Sequence, residues 1–158
     1  MHTAEFTAIT SADLGSVEES GPAQLSARRT GLLVAMGGAA GALLRWGLQL
    51  LMPGTLSPTL AEFPWATAIA NIAGCFVAGL VTALIGLRPG LPLWVKPLIV
   101  TGLCGAFTTL SAFALDVASL VGARAPVVAL TYTLTTVATT LAAVVIGFLT
   151  GHLIGRRR

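Results

Sequence analysis

Charge is scarce in this sequence: Asp, Glu, Lys and Arg make up 9% of its 158 residues, against roughly 25% in soluble domains. So little charge cannot cover a water-facing surface, and a mean hydropathy of +0.88 makes a bilayer the main solvent. Histidine occurs twice, at His2 in the N-terminal region and at His152 near the far end of the last apolar run. Neither stands at the level of Ser111, so a serine nucleophile has no base and an enzyme is not expected. Cysteine also occurs twice, as Cys75 and Cys104, both inside apolar segments. There the side chain reads as packing material, which leaves little for redox or metal chemistry. The basic residues raise the pI to about 9.5 but form no patch with interleaved aromatics, so no nucleic acid is expected as a partner.

What the chain does contain is long apolar runs. Residues 1–30 are polar and mildly acidic (Glu5, Asp13, Glu18, Glu19) and end in Arg28-Arg29, a composition expected to give a disordered cytoplasmic tail. The basic pair comes late, and the apolar run behind it is too long for a cleavable leader. Four segments then meet the roughly 20-residue length that spans a hydrocarbon core, at about 31–52, 65–87, 95–121 and 126–154. Pro53-Gly54 and Pro58, then Arg88-Pro89-Gly90 and Pro92, then Gly122 to Pro126 separate them. Backbone in lipid must satisfy its own hydrogen bonds, so runs of this length are helices. The strands of a membrane barrel would be shorter and alternating. The expected fold is an all-α membrane protein with four transmembrane helices in one domain, residues 31–158.

Four spans put both tails and the middle loop on one side of the membrane. Arg28, Arg29, Arg88, Lys96, Arg156, Arg157 and Arg158 collect there, against Arg124 alone on the other side. The positive-inside rule then places both termini in the cytoplasm, with the chain multi-pass in the cell (inner or plasma) membrane. Small residues are dense on the first helix, from Gly37 to Ala42, and Gly74 and Gly79 follow on the second. They let helix backbones approach closely where lipid supplies no hydrophobic drive for association.

Polar groups inside a bilayer need a partner or a function. Arg45 either snorkels outward or sets a positive charge near the mouth of an anion path. Thr67 and Asn71 are four apart and share a helix face; the Asn amide suits a dehydrated anion or, equally, an interhelical hydrogen bond. Two glycines and three hydroxyl residues between Thr101 and Ser111 predict a third helix broken near its middle, with freed carbonyls. Converging carbonyls of that kind suit a bare cation. Asp116 lies beyond the break, as a helix-end carboxylate or the partner of a basic group. On the fourth helix Tyr132, Thr136 and Thr140 form one hydroxyl stripe, and Thr131, Thr135 and Thr139 form another about 100° round the helix. At least one stripe is expected to bond only to its own backbone.

Taken together these pieces resemble the Fluc/CrcB family of small fluoride channels. The matching stretches are Gly37-Gly38-x-x-Gly41-Ala42-x-x-Arg45, then Pro64-Trp65-Ala-Thr67-x-x-x-Asn71-x-x-Gly74-x-Phe76-x-x-Gly79, and Gly102-x-x-Gly105-x-x-Thr108-Thr109-x-Ser111-x-Phe113. The resemblance implies an antiparallel dimer with two narrow fluoride pores and passive export of fluoride from the cytoplasm. It also implies a structural sodium ion at the dimer centre, held by the backbone carbonyls of Gly105 and Thr108. Asn71, Phe113, Thr136, Thr140, Tyr132, Thr67, Ser111 and Leu110 would line the path, with Arg45 in the vestibule.

Two features depart from the family pattern. Leu110 stands where the family has a phenylalanine after the Thr-Thr pair. The one-sided basic residues also fix a single orientation, whereas an antiparallel homodimer needs both. The expected partners are therefore fluoride, membrane lipid and a second subunit of the same type in inverted orientation, a paralogue rather than a second copy. A small multidrug-type exporter would need a carboxylate on its first helix, which has Arg45 and no acid. A non-conducting scaffold would explain the small residues but not Asn71, the broken helix and the hydroxyl stripe together.

Overall fold

The computed structural model describes residues 25–52 and 63–156. The helices are α1 (Ala27–Leu51), α2 (Trp65–Leu87), a π-helical stretch (Lys96–Cys104) running into the single turn α3 (Gly105–Phe107), then α4 (Leu110–Gly122) and α5 (Pro126–Arg156). Among the described residues, four spans are long and apolar enough to cross a membrane, the third being Lys96–Gly122 as a whole. The first helix begins at Ala27, earlier than the expected Gly31, and takes Arg28-Arg29 into its first turn. Most of the expected tail, with His2, and the Pro53, Gly54 and Pro58 breakers lie outside the described residues.

The burial pattern suits lipid. Small and polar side chains are inside, including Ala66, Ala68, Ala70, Thr67 and Asn71, while Leu32, Leu51, Leu110 and Val127 are among the many exposed large apolar residues. An aqueous monomer does not leave so much contiguous apolar surface uncovered.

Glycine sets how the spans pair. A Cβ on Gly79 would run into the Val144 carbonyl oxygen, and one on Gly147 into that of Phe76. Gly151 in turn meets Leu80 and Ala83, and Gly155 meets Leu87. Contact positions advance together along α2 and α5, so the two helices run parallel with their backbones touching. The same reading holds for the first and third spans: Gly37 abuts Leu98 and Leu103, Gly41 abuts Leu103 and Phe107, and Gly102 abuts Val34 and Gly37. Here the third span is π-helical, a rare geometry found mostly at single turns. Its Pro97 has no N–H to give, and the backbone of α1 lies directly on Gly102.

The last turn is tight. Arg124 takes a left-handed conformation at φ 58°, the Arg124 and Ala125 N–H groups donate to the Val121 and Leu120 carbonyls, and Pro126 then opens α5 with a φ suited to a helix start.

Gly147→Ala is expected to force α2 and α5 apart, because its new Cβ would also stand 3.0 Å from the Phe76 carbonyl carbon. Unfolding in detergent should show a loss of about 1–3 kcal/mol, the usual cost of overpacking. Gly86→Ala meets nothing within 4 Å and should be neutral or slightly stabilising.

Candidate functional site

The site starts at two residues that leave the helix. Thr108 (φ −75°, ψ 151°) and Thr109 (φ −151°, ψ 117°) are extended between α3 and α4. A peptide group in that position has lost its helical partners deep in an apolar span, where an unsatisfied group costs several kcal/mol. Asn71 of α2 supplies both replacements. Its Oδ1 accepts from the Thr109 N–H at 2.7 Å, and its Nδ2 donates to the Thr109 carbonyl at 3.1 Å. Thr109 also starts α4, its Oγ1 accepting from the Ala112 N–H at 3.1 Å and sharing a hydrogen bond with Ser111 Oγ.

These substitutions leave two carbonyls without their helical donors. Thr109 N–H would reach Gly105 C=O in an unbroken helix but goes to Asn71. Ala112 N–H would reach Thr108 C=O but goes to the Thr109 hydroxyl. Such oxygens are suitable ligands for a hard cation. Clusters of His, Cys, Asp and Glu able to hold a metal are absent among the described residues.

Beside the Asn71–Thr109 pair lies an open cavity of about 240 Å³, roomy enough for several waters. Asn71 and Cys75 line it from α2, and Leu110 and Phe113 from α4. Thr136 and Thr140 line it from α5, and Thr108 and Thr109 close one end. Leu110 is 79% exposed at its edge.

The threonines of α5 divide sharply. Thr131, Thr133, Thr139, Thr140 and Thr150 each donate to the carbonyl four residues earlier, satisfying themselves within the helix. Thr136 does not. Only 4% exposed, it keeps a buried Oγ1 with no hydrogen-bond partner. One hydrogen of the Asn71 amide is likewise left over, since the group carries two and one is used.

Tyr132, Thr67 and Ser111 stand outside the cavity wall. Tyr132 is fully buried and donates to Asp116 Oδ2 at 3.1 Å, with Thr67 next to both. Its ring is 5.3 Å from that of Phe113 and edge-on to Phe63 at 5.1 Å, so Phe113 joins this cluster to the cavity. Asp116 is thus the partner of a phenol rather than of a basic group. That pairing could have been found from the sequence, because a carboxylate in an apolar span needs a donor and the chain has a single tyrosine. Arg45 is half-buried on α1 and is not part of the cavity. Cys75, read from the sequence as packing, lines it.

Residues 32–148 match the family model described as CrcB-like protein, Camphor Resistance (CrcB). The chain belongs to the CrcB family. It is similar to proteins named fluoride-specific ion channel FluC, being 44% identical to that of Paracoccus denitrificans (strain Pd 1222) over 79% of this chain and 96% of the relative. For the one from Rhizobium leguminosarum bv. trifolii (strain WSM2304) the identity is 41%, over 73% and 90%. That of Bordetella avium (strain 197N) is 37% identical, over 79% and 94%. Over the matched region this chain is mostly made of the four apolar spans.

Asn71→Leu keeps the side chain's bulk and strands both Thr109 backbone groups. At about 1–3 kcal/mol for each buried group left unpaired, unfolding in detergent should register one of the largest losses of any single substitution in α2. Amide exchange at Thr109 should accelerate with it.

Proposed function

We propose that this chain is a subunit of a fluoride-selective passive channel that exports fluoride from the cytoplasm, with the cavity beside Asn71 as part of the anion path. The carrying observation is Thr136, whose buried hydroxyl has no partner among the described residues, whereas Thr131, Thr133, Thr139, Thr140 and Thr150 bond their own backbone and Thr135 is exposed. A buried donor without a partner is costly, and an anion passing along α5 would provide one. The names of the relatives supply the ion: each is called fluoride-specific. Fluoride is small and tightly hydrated, so its path must offer donors in place of water while binding weakly enough to release it. Neutral hydroxyl and amide groups do this without the deep trap of a fixed charge. Phe113 adds an electropositive ring edge. Conduction of this kind involves no bond-making step and needs no catalytic residue.

The open cavity and exposed Leu110 support a second subunit completing the path, in inverted orientation as the family resemblance implies. The carbonyls of Gly105 and Thr108, deprived of helical donors, fit a structural sodium ion at the junction; when bound, it supplies positive charge that holds the two broken spans together. Both termini lie in the cytoplasm, given seven basic residues on their side against one on the other. That bias favours a paralogous partner, and Leu110 leaves one ring to be supplied by it. Arg45 then stands in the vestibule, drawing anions to the mouth.

Reconstituted with an oppositely biased paralogue, the protein should release fluoride from liposomes while retaining chloride. Strong efflux from this chain alone, with its tail labelled equally on both sides of the membrane, would exclude the heterodimer. Thr136→Val should leave stability unchanged or raised, since it removes an unpartnered hydroxyl, yet cut fluoride efflux by about tenfold or more. Thr136→Ser should retain most of it. Efflux unaffected by Thr136→Val would remove the hydroxyl from the path.

A further inference from the structure

The donors around the cavity are nearly all spent. Thr108 Oγ1 donates to the Cys104 carbonyl at 2.9 Å and Thr140 Oγ1 to the Thr136 and Val137 carbonyls, while Thr109 Oγ1 accepts from the Ala112 N–H and shares a hydrogen bond with Ser111 Oγ. Besides Thr136 Oγ1 and one Asn71 amide hydrogen, the remaining group is the thiol of Cys75, a free cysteine without a hydrogen bond among the described residues. Cys75 follows Asn71 by four residues and so shares its face of α2. Next to it, Gly74 has no side chain because the Thr108 methyl occupies that space, which seats the start of the Thr108–Thr109 break at the level of Cys75. The thiol therefore borders the same cavity as the unpartnered Thr136 hydroxyl, itself more than nine-tenths buried. Cys104 differs: it is 3% exposed and outside the cavity.

We propose that Cys75 is a further lining group of the anion path and a modification site, where small thiol-directed electrophiles of the thiosulfonate class attach and close the path. This rests on the channel reading given above. The S–H is a weak donor, and its replacement by S–S–CH3 both removes that donor and fills space next to Asn71. In the reaction the Cys75 thiolate, its proton lost to water in the cavity, attacks the sulfenyl sulfur of methyl methanethiosulfonate. A new S–S bond forms, the S–SO2 bond breaks, and methanesulfinate leaves with the electron pair.

The test treats conducting proteoliposomes with methyl methanethiosulfonate and follows fluoride efflux, with the site of modification read by mass spectrometry. Efflux should fall by the share carried by the path that Cys75 lines, return on addition of dithiothreitol, and behave the same in Cys104→Ala. Cys75→Ser, whatever rate it starts from, should not respond. Efflux that is undiminished with Cys75 carrying the S-methyl group overturns the proposal, as does a conducting protein whose Cys75 the reagent never modifies. Failure of the unmodified protein to conduct, both alone and with an oppositely biased paralogue, would instead overturn the channel reading. In that case faster labelling of Cys75 than of Cys104 still supports its place in the cavity, and the reverse order removes it.

Discussion

A peptide group that leaves its helix inside an apolar span loses its helical partners, and the third span of this protein contains such a group at Thr109. Asn71 resolves it with a donor and an acceptor on one planar amide, matched to the N–H and C=O of a single residue. The pairing resembles one rung of a sheet made by a side chain. It ties α2 to the start of α4, so Phe113, Leu110 and Ser111 are placed relative to α2 by two hydrogen bonds rather than by bulk packing. By taking the Thr109 N–H it also leaves the Gly105 carbonyl without its helical donor, and the Thr109 hydroxyl, by capping α4, does the same for the Thr108 carbonyl.

That amide can reach Thr109 only because the spans lie close. α2 and α5 touch backbone to backbone at Gly79 and Gly147, and Gly74 accepts the Thr108 methyl. Membrane helices gain little from burying apolar surface against one another, so close van der Waals contact and polar ties carry the association. The glycines serve the first kind of contact and Asn71 the second. Tyr132 and Asp116 tie α5 to α4 in the same way, which gives α4 a fixed position between two helices despite its short length.

Much of this was legible in the residues. Four apolar runs gave four spans, and the Asn71 face, the third-span glycines and the hydroxyl residues gathered where the polar work is done. The two threonine stripes of α5 were harder to tell apart, because both have the same spacing and either one can satisfy itself along the helix. What separates them is rotation: Gly147 and Gly151 turn one side of α5 onto α2, and Thr136 goes with that side. Rotation is a property of the helix pair, which periodicity in one helix does not contain. The π-helical Lys96–Cys104 stretch was hidden too, since its residues read as an ordinary apolar run and single-helix periodicity does not separate π from α geometry. Cys75 was read as packing because a cysteine in an apolar run usually is. Its four-residue offset from Asn71 was the available signal, and it gained meaning once the Asn71 face was known to border a cavity.

The distribution of unspent donors bears on how an anion is discriminated. A positive side chain in the cavity would bind any small anion and hold it, and Arg45, the basic residue embedded in a span, lies on α1 away from the cavity lining. What the cavity presents instead is neutral: a hydroxyl at Thr136, half an amide at Asn71 and a thiol at Cys75. Each gives up little on its own, because a neutral hydrogen bond in place of one to water is nearly an even exchange. An anion with a small radius and high charge density profits most from several short donors in succession, and a larger one finds them too far apart around its surface to replace its hydration. On the proposed reading, selectivity would follow from the spacing of these donors along α2 and α5, whose backbones the glycine contacts hold together, rather than from the strength of any single group.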